Sequence, residues 1–140
     1  MNQTRPRGFS LIEVMIVLVV LAVIAAIGFP SYTRYVTRAS REAAKSELLQ
    51  LGNLQEKIYL NSSSYAISVT DPYNGRADGG LGVASGRTGD NKYLLSITPT
   101  AGPTQVYTIT ATPVSGTSQA DDGNLALSSD GSRAWGSKTW

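Results

Sequence analysis

Gly8-Phe9-Ser10-Leu11-Ile12-Glu13 runs into an apolar block that ends at Phe29 and meets Pro30. Residues Val14 to Ile27 carry no polar side chain. At about 1.5 Å per residue, Phe9 to Phe29 makes a helix of roughly 31 Å, against a hydrocarbon core of about 30 Å. That is enough to cross a membrane once. Glu13 is the single carboxylate in the stretch. An acid inside a span costs roughly 2.5–3.5 kcal/mol on insertion scales. No Lys, Arg or His within the segment can offset it. Its partner must come from a chain terminus or from another molecule.

The flanks of this block bound the next inference. Residues 1–8 are short and basic, with Arg5, Pro6 and Arg7. A secretory signal would be cut after the apolar region, at small residues such as Ala25-Ala26-Ile27-Gly28. In the other reading the block stays attached and the cut falls before it, at Gly8. Arg5 and Arg7 precede the span while Arg34, Arg38 and Arg41 follow it, so charge alone does not set its orientation. The net charge of +2 belongs to the leader: without Arg5 and Arg7, basic and acidic residues balance. The basic pI is then no argument for a nucleic-acid-binding domain. The chain has neither cysteine nor histidine. Disulfides, thiolate metal sites and the usual general base are all excluded.

The short basic leader, the Gly8-Phe9 junction, Glu13 at the fifth position after that junction and the long apolar run occur together. In this combination the N-terminus resembles the class III leader of type IV pilins and pseudopilins. The resemblance implies cleavage after Gly8 by a prepilin peptidase, methylation of the new N-terminus at Phe9, and a docking role for Glu13 in a filament. The chemistry agrees. Cutting creates an α-ammonium at Phe9 with a reference pKa near 8. In a core of packed apolar helices, the Phe9 amine of one subunit and Glu13 of its neighbour can neutralise each other. Such a pair fixes register more than it adds stability.

Beyond Pro30 a helical period resumes at once. Val36, Ala39, Ala43, Leu48, Leu51, Leu54 and Ile58 fall near one stripe, with Glu42, Lys45, Glu56 and Lys57 elsewhere. The spacing predicts a helix from Phe9 to about Leu60, kinked at Gly28–Pro30 because proline removes a backbone bond there. Residues 9–29 form the membrane or filament-core half, and residues 30–60 an amphipathic half able to dock on a soluble domain. Arg34, Arg38, Arg41 and Lys45 recur at helical spacing. They read as a solvated or headgroup-facing stripe, or as an intersubunit charge face.

A glycine-rich connection over residues 61–91 follows. Its Gly80 to Gly86 segment lacks phosphate-loop spacing, which excludes nucleotide binding. Tyr93, Leu95 and Ile97 alternate, as do Tyr107, Ile109 and Ala111. A third strand carries Leu125 and Leu127, and a short last one runs through Trp135. The fold class expected is α+β: one long helix packed on a small antiparallel sheet over residues 92–140. This is the pilin arrangement that the resemblance implies. The C-terminal segment, ending in Trp140, is similar to PilE-type minor pilins. Those commonly carry a disulfide here, with a cysteine before the final tryptophan, where this chain has Thr139. Packing of Trp135 and Trp140 must replace a covalent staple worth roughly 2–4 kcal/mol.

Asp121, Asp122, Asn124 and Asp130 offer oxygen ligands suited to calcium, but at ordinary turn spacing, so no metal and no cofactor is expected. Without a paired catalytic motif, an enzyme is not expected either. The expected function is a structural subunit, a minor pilin, of a type IV pilus, serving assembly, motility, adhesion or DNA uptake. The alternatives are a type II secretion pseudopilin and a membrane-tethered DNA- or ligand-binding module. The partners implied are other pilin subunits, the prepilin peptidase and the inner-membrane assembly platform, with nucleic acid reached at most indirectly. The location implied is the bacterial inner membrane before assembly and the surface pilus after it.

Overall fold

The apolar block and its amphipathic continuation form one helix in the computed structural model, which describes residues 8–100 and 105–140. This helix, α1, spans Leu11–Ser62 and is helical through Pro30. The chain parts into two units between Val36 and Thr37. The leader residues 1–7, and residues 101–104 of the expected connection between the first two strands, lie outside the described residues.

In the first unit, every residue from Gly8 to Tyr32 is exposed. Phe9, Leu11 and Phe29 are 82%, 80% and 72% exposed, so this apolar helix is uncovered among the described residues. Its mean hydropathy reaches 3.0 over eighteen residues, and it is long and apolar enough to cross a membrane. Pro30 leaves the Ala26 carbonyl without its helical donor. The Thr33 hydroxyl donates to the Pro30 carbonyl at 3.0 Å.

In the second unit, the remainder of α1 packs on a five-stranded sheet. β1 is Tyr93–Thr100, β2 Val106–Pro113, β3 Leu125–Ser128, β4 Arg133–Trp135 and β5 Lys138–Thr139, in that spatial order and antiparallel throughout. Tyr93, Leu95, Tyr107, Ile109, Ala111, Leu125 and Leu127 face the helix and are buried. The alternation expected in the first three strands is therefore the one found. The last strand, expected to end near Trp135, is followed by β5 after a turn at Gly136.

The buried face of α1 departs from the apolar stripe read in sequence. Ala39 and Ala43 are exposed, and Val36 and Leu54 are half-buried. The face that packs is Ser40, Ala44, Leu48, Leu51, Gly52, Gln55 and Ile58. Two of these are polar, so hydrophobic period missed them, and each is satisfied. Lys92 Nζ donates to Ser40 Oγ at 2.9 Å. Gln55 accepts from the Ala66 amide and donates to the Ala66 carbonyl, both at 2.9 Å. Gly52 permits close approach: a Cβ there would lie 2.9 Å from Leu127 Cδ2.

The glycine-rich connection is packed. Ala66, Val69 and Leu81 from it enter the core. Isolated bridges join Ser68 to Gly80 and Arg87 to Leu94. Gly80 is required sterically, since a Cβ would fall 2.5 Å from the Asp71 carbonyl oxygen.

Candidate nucleic-acid interface

Asp122 lies just before β3 and is the centre of the C-terminal segment. Its carboxylate receives both Arg41 donors in a forked pair, with Arg41 Nε at 2.8 Å from Oδ2. Tyr93 donates its hydroxyl to the same Oδ2 at 2.6 Å. Only 4% of the Asp122 side chain is exposed. Burial by itself would raise this carboxyl, but the bonds from Arg41 and Tyr93 and the Arg41 charge prevail and hold it below its usual range. The Asp122 hydrogen bond raises Arg41 in turn. Burial, then the Asp122 contact, drives the Tyr93 hydroxyl far above its ordinary value, so it stays a donor.

The network extends in two directions. Gln119, fully buried, donates to Tyr93 Oη at 2.7 Å and to the Thr37 carbonyl at 3.1 Å. Trp135 on β4 donates its indole N–H to the Asp122 carbonyl. The Arg41 guanidinium also lies over the Trp135 ring, 3.7 Å from its centroid. One arginine of α1 thus holds the segment before β3 and a strand after it.

The β4–β5 hairpin then presents cations beside two tryptophan rings. Arg133 lies 5.4 Å from the Trp140 centroid, and Lys138 5.3 Å from that of Trp135. Lys45 lies 5.5 Å from Trp140 and 5.9 Å from Trp135. Arg133 and Lys138 are exposed. Among the described residues, the ion pairs are Arg41–Asp122 and Lys45–Glu42, which leaves the Arg133 and Lys138 charges to solvent. Exposed cations alternating with partly exposed aromatic rings can meet phosphates and the faces of bases.

At the other end of the chain, the Ser10 carbonyl accepts from Glu13 N at 3.0 Å and Val14 N at 3.2 Å, opening α1. Glu13 falls in the first turn, where an acid favours the helix dipole. Phe9 and Glu13, with Val14, Val17 and Leu18, line a shallow hollow of about 280 Å³.

Two comparisons with known families bear on this geometry. The family model described as type IV minor pilin ComP, DNA uptake sequence receptor, matches residues 30–126, more than half of the chain. The prokaryotic N-terminal methylation motif matches residues 4–29. The chain belongs to the ComP family of type IV minor pilins. No curated protein matches it. It is therefore a membrane-anchored pilin that is assembled into a surface pilus with other pilins and the pilus assembly machinery.

In this minor pilin the four basic residues expected on one face have separate fates. Arg34 and Arg38 are exposed. Arg41 is paired with Asp122 inside the fold, and Lys45 is half-buried and bonded to Glu42 at 2.8 Å. The oxygen set considered for calcium is also dispersed. Asp122 already serves Arg41 and Tyr93, the Asn124 carbonyl accepts from Gly136 N, and Asp130 accepts from Ser132 N. Asp121 is exposed. Among the described residues no group of three Asp or Glu could hold a metal ion. Arg133 and Lys138 were not signalled in the sequence, because residues on a short hairpin carry no periodic mark.

Proposed function

We propose that this minor pilin contacts DNA directly, at the hairpin that carries Arg133, Lys138, Trp135 and Trp140, and so serves DNA uptake by the pilus. The family's description as a DNA uptake sequence receptor supports a direct contact in place of the indirect one expected from net charge. The observation that carries the reading is the pair of exposed, solvent-facing cations beside the tryptophan rings. Net charge hid them because it averages over the chain, whereas a backbone of phosphates responds to the local patch.

The N-terminal segment supplies the filament. Prepilin peptidase cleaves between Gly8 and Phe9 and methylates Phe9, a reading supported by the motif match over residues 4–29. Glu13 then meets the Phe9 amine of a neighbour and sets the axial register. Gly28 and Pro30 mark the place where the helix yields when it enters the filament. Any part in motility or adhesion follows from membership of that filament.

The test uses the full-length protein in detergent micelles and fluorescent duplex DNA titrated at several salt concentrations. The double variant Arg133→Ala, Lys138→Ala should bind more weakly and lose a salt slope of roughly two phosphate contacts, about 0.9 per contact. Unchanged affinity and slope would remove the hairpin from the interface. Uptake of labelled DNA by cells that still display pili would then separate DNA contact from assembly.

A further inference from the structure

A second surface lies where α1 ends, and it has the opposite character. An open groove of about 560 Å³ is lined by Tyr59, Tyr65 and Val106 and by Ser63, Gln105, Ser129 and Asp130. That volume is within the ~300–1,000 Å³ usual for small-ligand sites. Tyr59 stacks on Tyr65 with centroids 4.8 Å apart and planes 27° apart. Tyr65 meets Tyr107 edge-on at 4.7 Å. One face of Tyr59 is thus fixed against the protein while the residue as a whole is 41% exposed.

The charge here excludes a polyanion. Among the described residues that line it none is Lys or Arg, and Asp130 supplies the one charge. Behind the stack, Glu56 Oε1 accepts from the Tyr65 and Tyr107 hydroxyls at 3.3 and 3.4 Å, adding a second carboxylate. A phosphodiester or an acidic sugar would be repelled. What remains suited is a ring with one apolar face and a rim of hydroxyls. The apolar C–H face of a pyranose lies flat on a tyrosine, and Ser63, Gln105, Ser129 and the Asp130 carboxylate can exchange hydrogen bonds with its hydroxyls. Ser63 has a φ of 50°, a left-handed position at a helix end where glycine is the usual choice. Ser63 nonetheless lines the groove.

We propose that the groove between the end of α1, the start of β2 and the β3–β4 turn binds neutral glycan, with Tyr59 as the stacking platform and Asp130 as a hydroxyl acceptor. This site is distinct from the cationic hairpin, and it gives the pilus subunit an uncharged surface ligand besides DNA.

The experiment uses full-length protein in a detergent without a sugar headgroup. It is titrated calorimetrically with neutral tetrasaccharides of glucose, galactose or N-acetylglucosamine. At least one should bind with a Kd of about 1 mM or tighter. Tyr59→Ala should weaken that binding about tenfold or more, Tyr59→Phe should retain it, and Asp130→Asn should weaken it less than Tyr59→Ala does. Duplex DNA affinity should be the same in all three variants, which also reports that they are folded. The proposal fails if none of the three sugars binds, or if binding survives Tyr59→Ala. It also fails if Tyr59→Ala instead abolishes binding of single-stranded oligothymidine, since the stack would then receive unpaired bases.

Discussion

The two halves of α1 are continuous in sequence and opposite in physics. From Gly8 to Tyr32 every residue is exposed, and most of them are apolar. From Ser40 to Ile58 the helix buries polar Ser40 and Gln55 alongside its leucines, each with a specific hydrogen-bond partner. An uncovered apolar helix is unfinished alone and is completed by lipid or by other helices. A face that buries satisfied polar groups is finished, and its bonds fix one geometry. On the proposed reading, the first half serves assembly and the body that the second half holds serves recognition.

The sharpest way to break this division is Glu13→Ala. It should lower incorporation into surface pili about tenfold or more, read by immunoblot of sheared pili, while the melting temperature of the second unit stays unchanged. Normal incorporation would remove Glu13 from assembly.

Next in size is the Arg41–Asp122 pair. Arg41→Ala leaves Asp122 buried without its counter-charge and should cost about 3–5 kcal/mol in urea unfolding. The double change Arg41→Met, Asp122→Leu should recover part of that loss, because it strands no charge. A cost no greater than that of a surface mutation would mean that the C-terminal segment is held by tryptophan packing alone.

Gln55→Ala should follow at about 1–3 kcal/mol, since it strands the buried amide and carbonyl of Ala66. Loss of protection from hydrogen exchange at Ala66 is the direct measurement.

Acid titration probes the same network more gently. The folded Asp122 carboxyl is held below the ordinary value, near 3.9 in an unfolded chain. Its contribution is complete above that value and is lost as pH falls through the lower folded one. Unfolding free energy should decline below about pH 4, and Asp122→Asn should make the decline shallower. Asp90 is held low as well, because bonds from Thr88 and Lys92 outweigh its burial, so part of the decline should persist.

The smallest effect is expected at Gly52→Ala. Helix propensity would gain about 1 kcal/mol, against displacement of the Leu127 side chain that a Cβ would meet at 2.9 Å. A net change within about 0.5 kcal/mol would show that the flexible end of Leu127 yields.

Much of this was legible beforehand, for identifiable reasons. The span, Glu13 and the alternation in β1, β2 and β3 are local patterns, each carried by residues close together in the chain. The packing stripe of α1 lies one position beyond Ala39 and Ala43, at Ser40 and Ala44, because hydrophobic period does not mark a polar Ser40 that is satisfied by Lys92, just before β1. β5 has two residues, too few for any period. Arg41 read as one member of a charged face, and nothing near it in sequence marks Asp122, which lies 81 residues away.

By itself, the sequence determined that an apolar helix with one acid leads an α+β chain without cysteine or histidine, because length, hydropathy and period are local properties. Only the tertiary structure decided which charges are consumed and which are left over. Arg41 and Asp122 neutralise each other inside the body, while Arg133 and Lys138 remain outside beside two indole rings. The tyrosines at the end of α1 meet a turn that carries Asp130 and no cation. Charge pairing depends on distance in space, and the fold sets that distance.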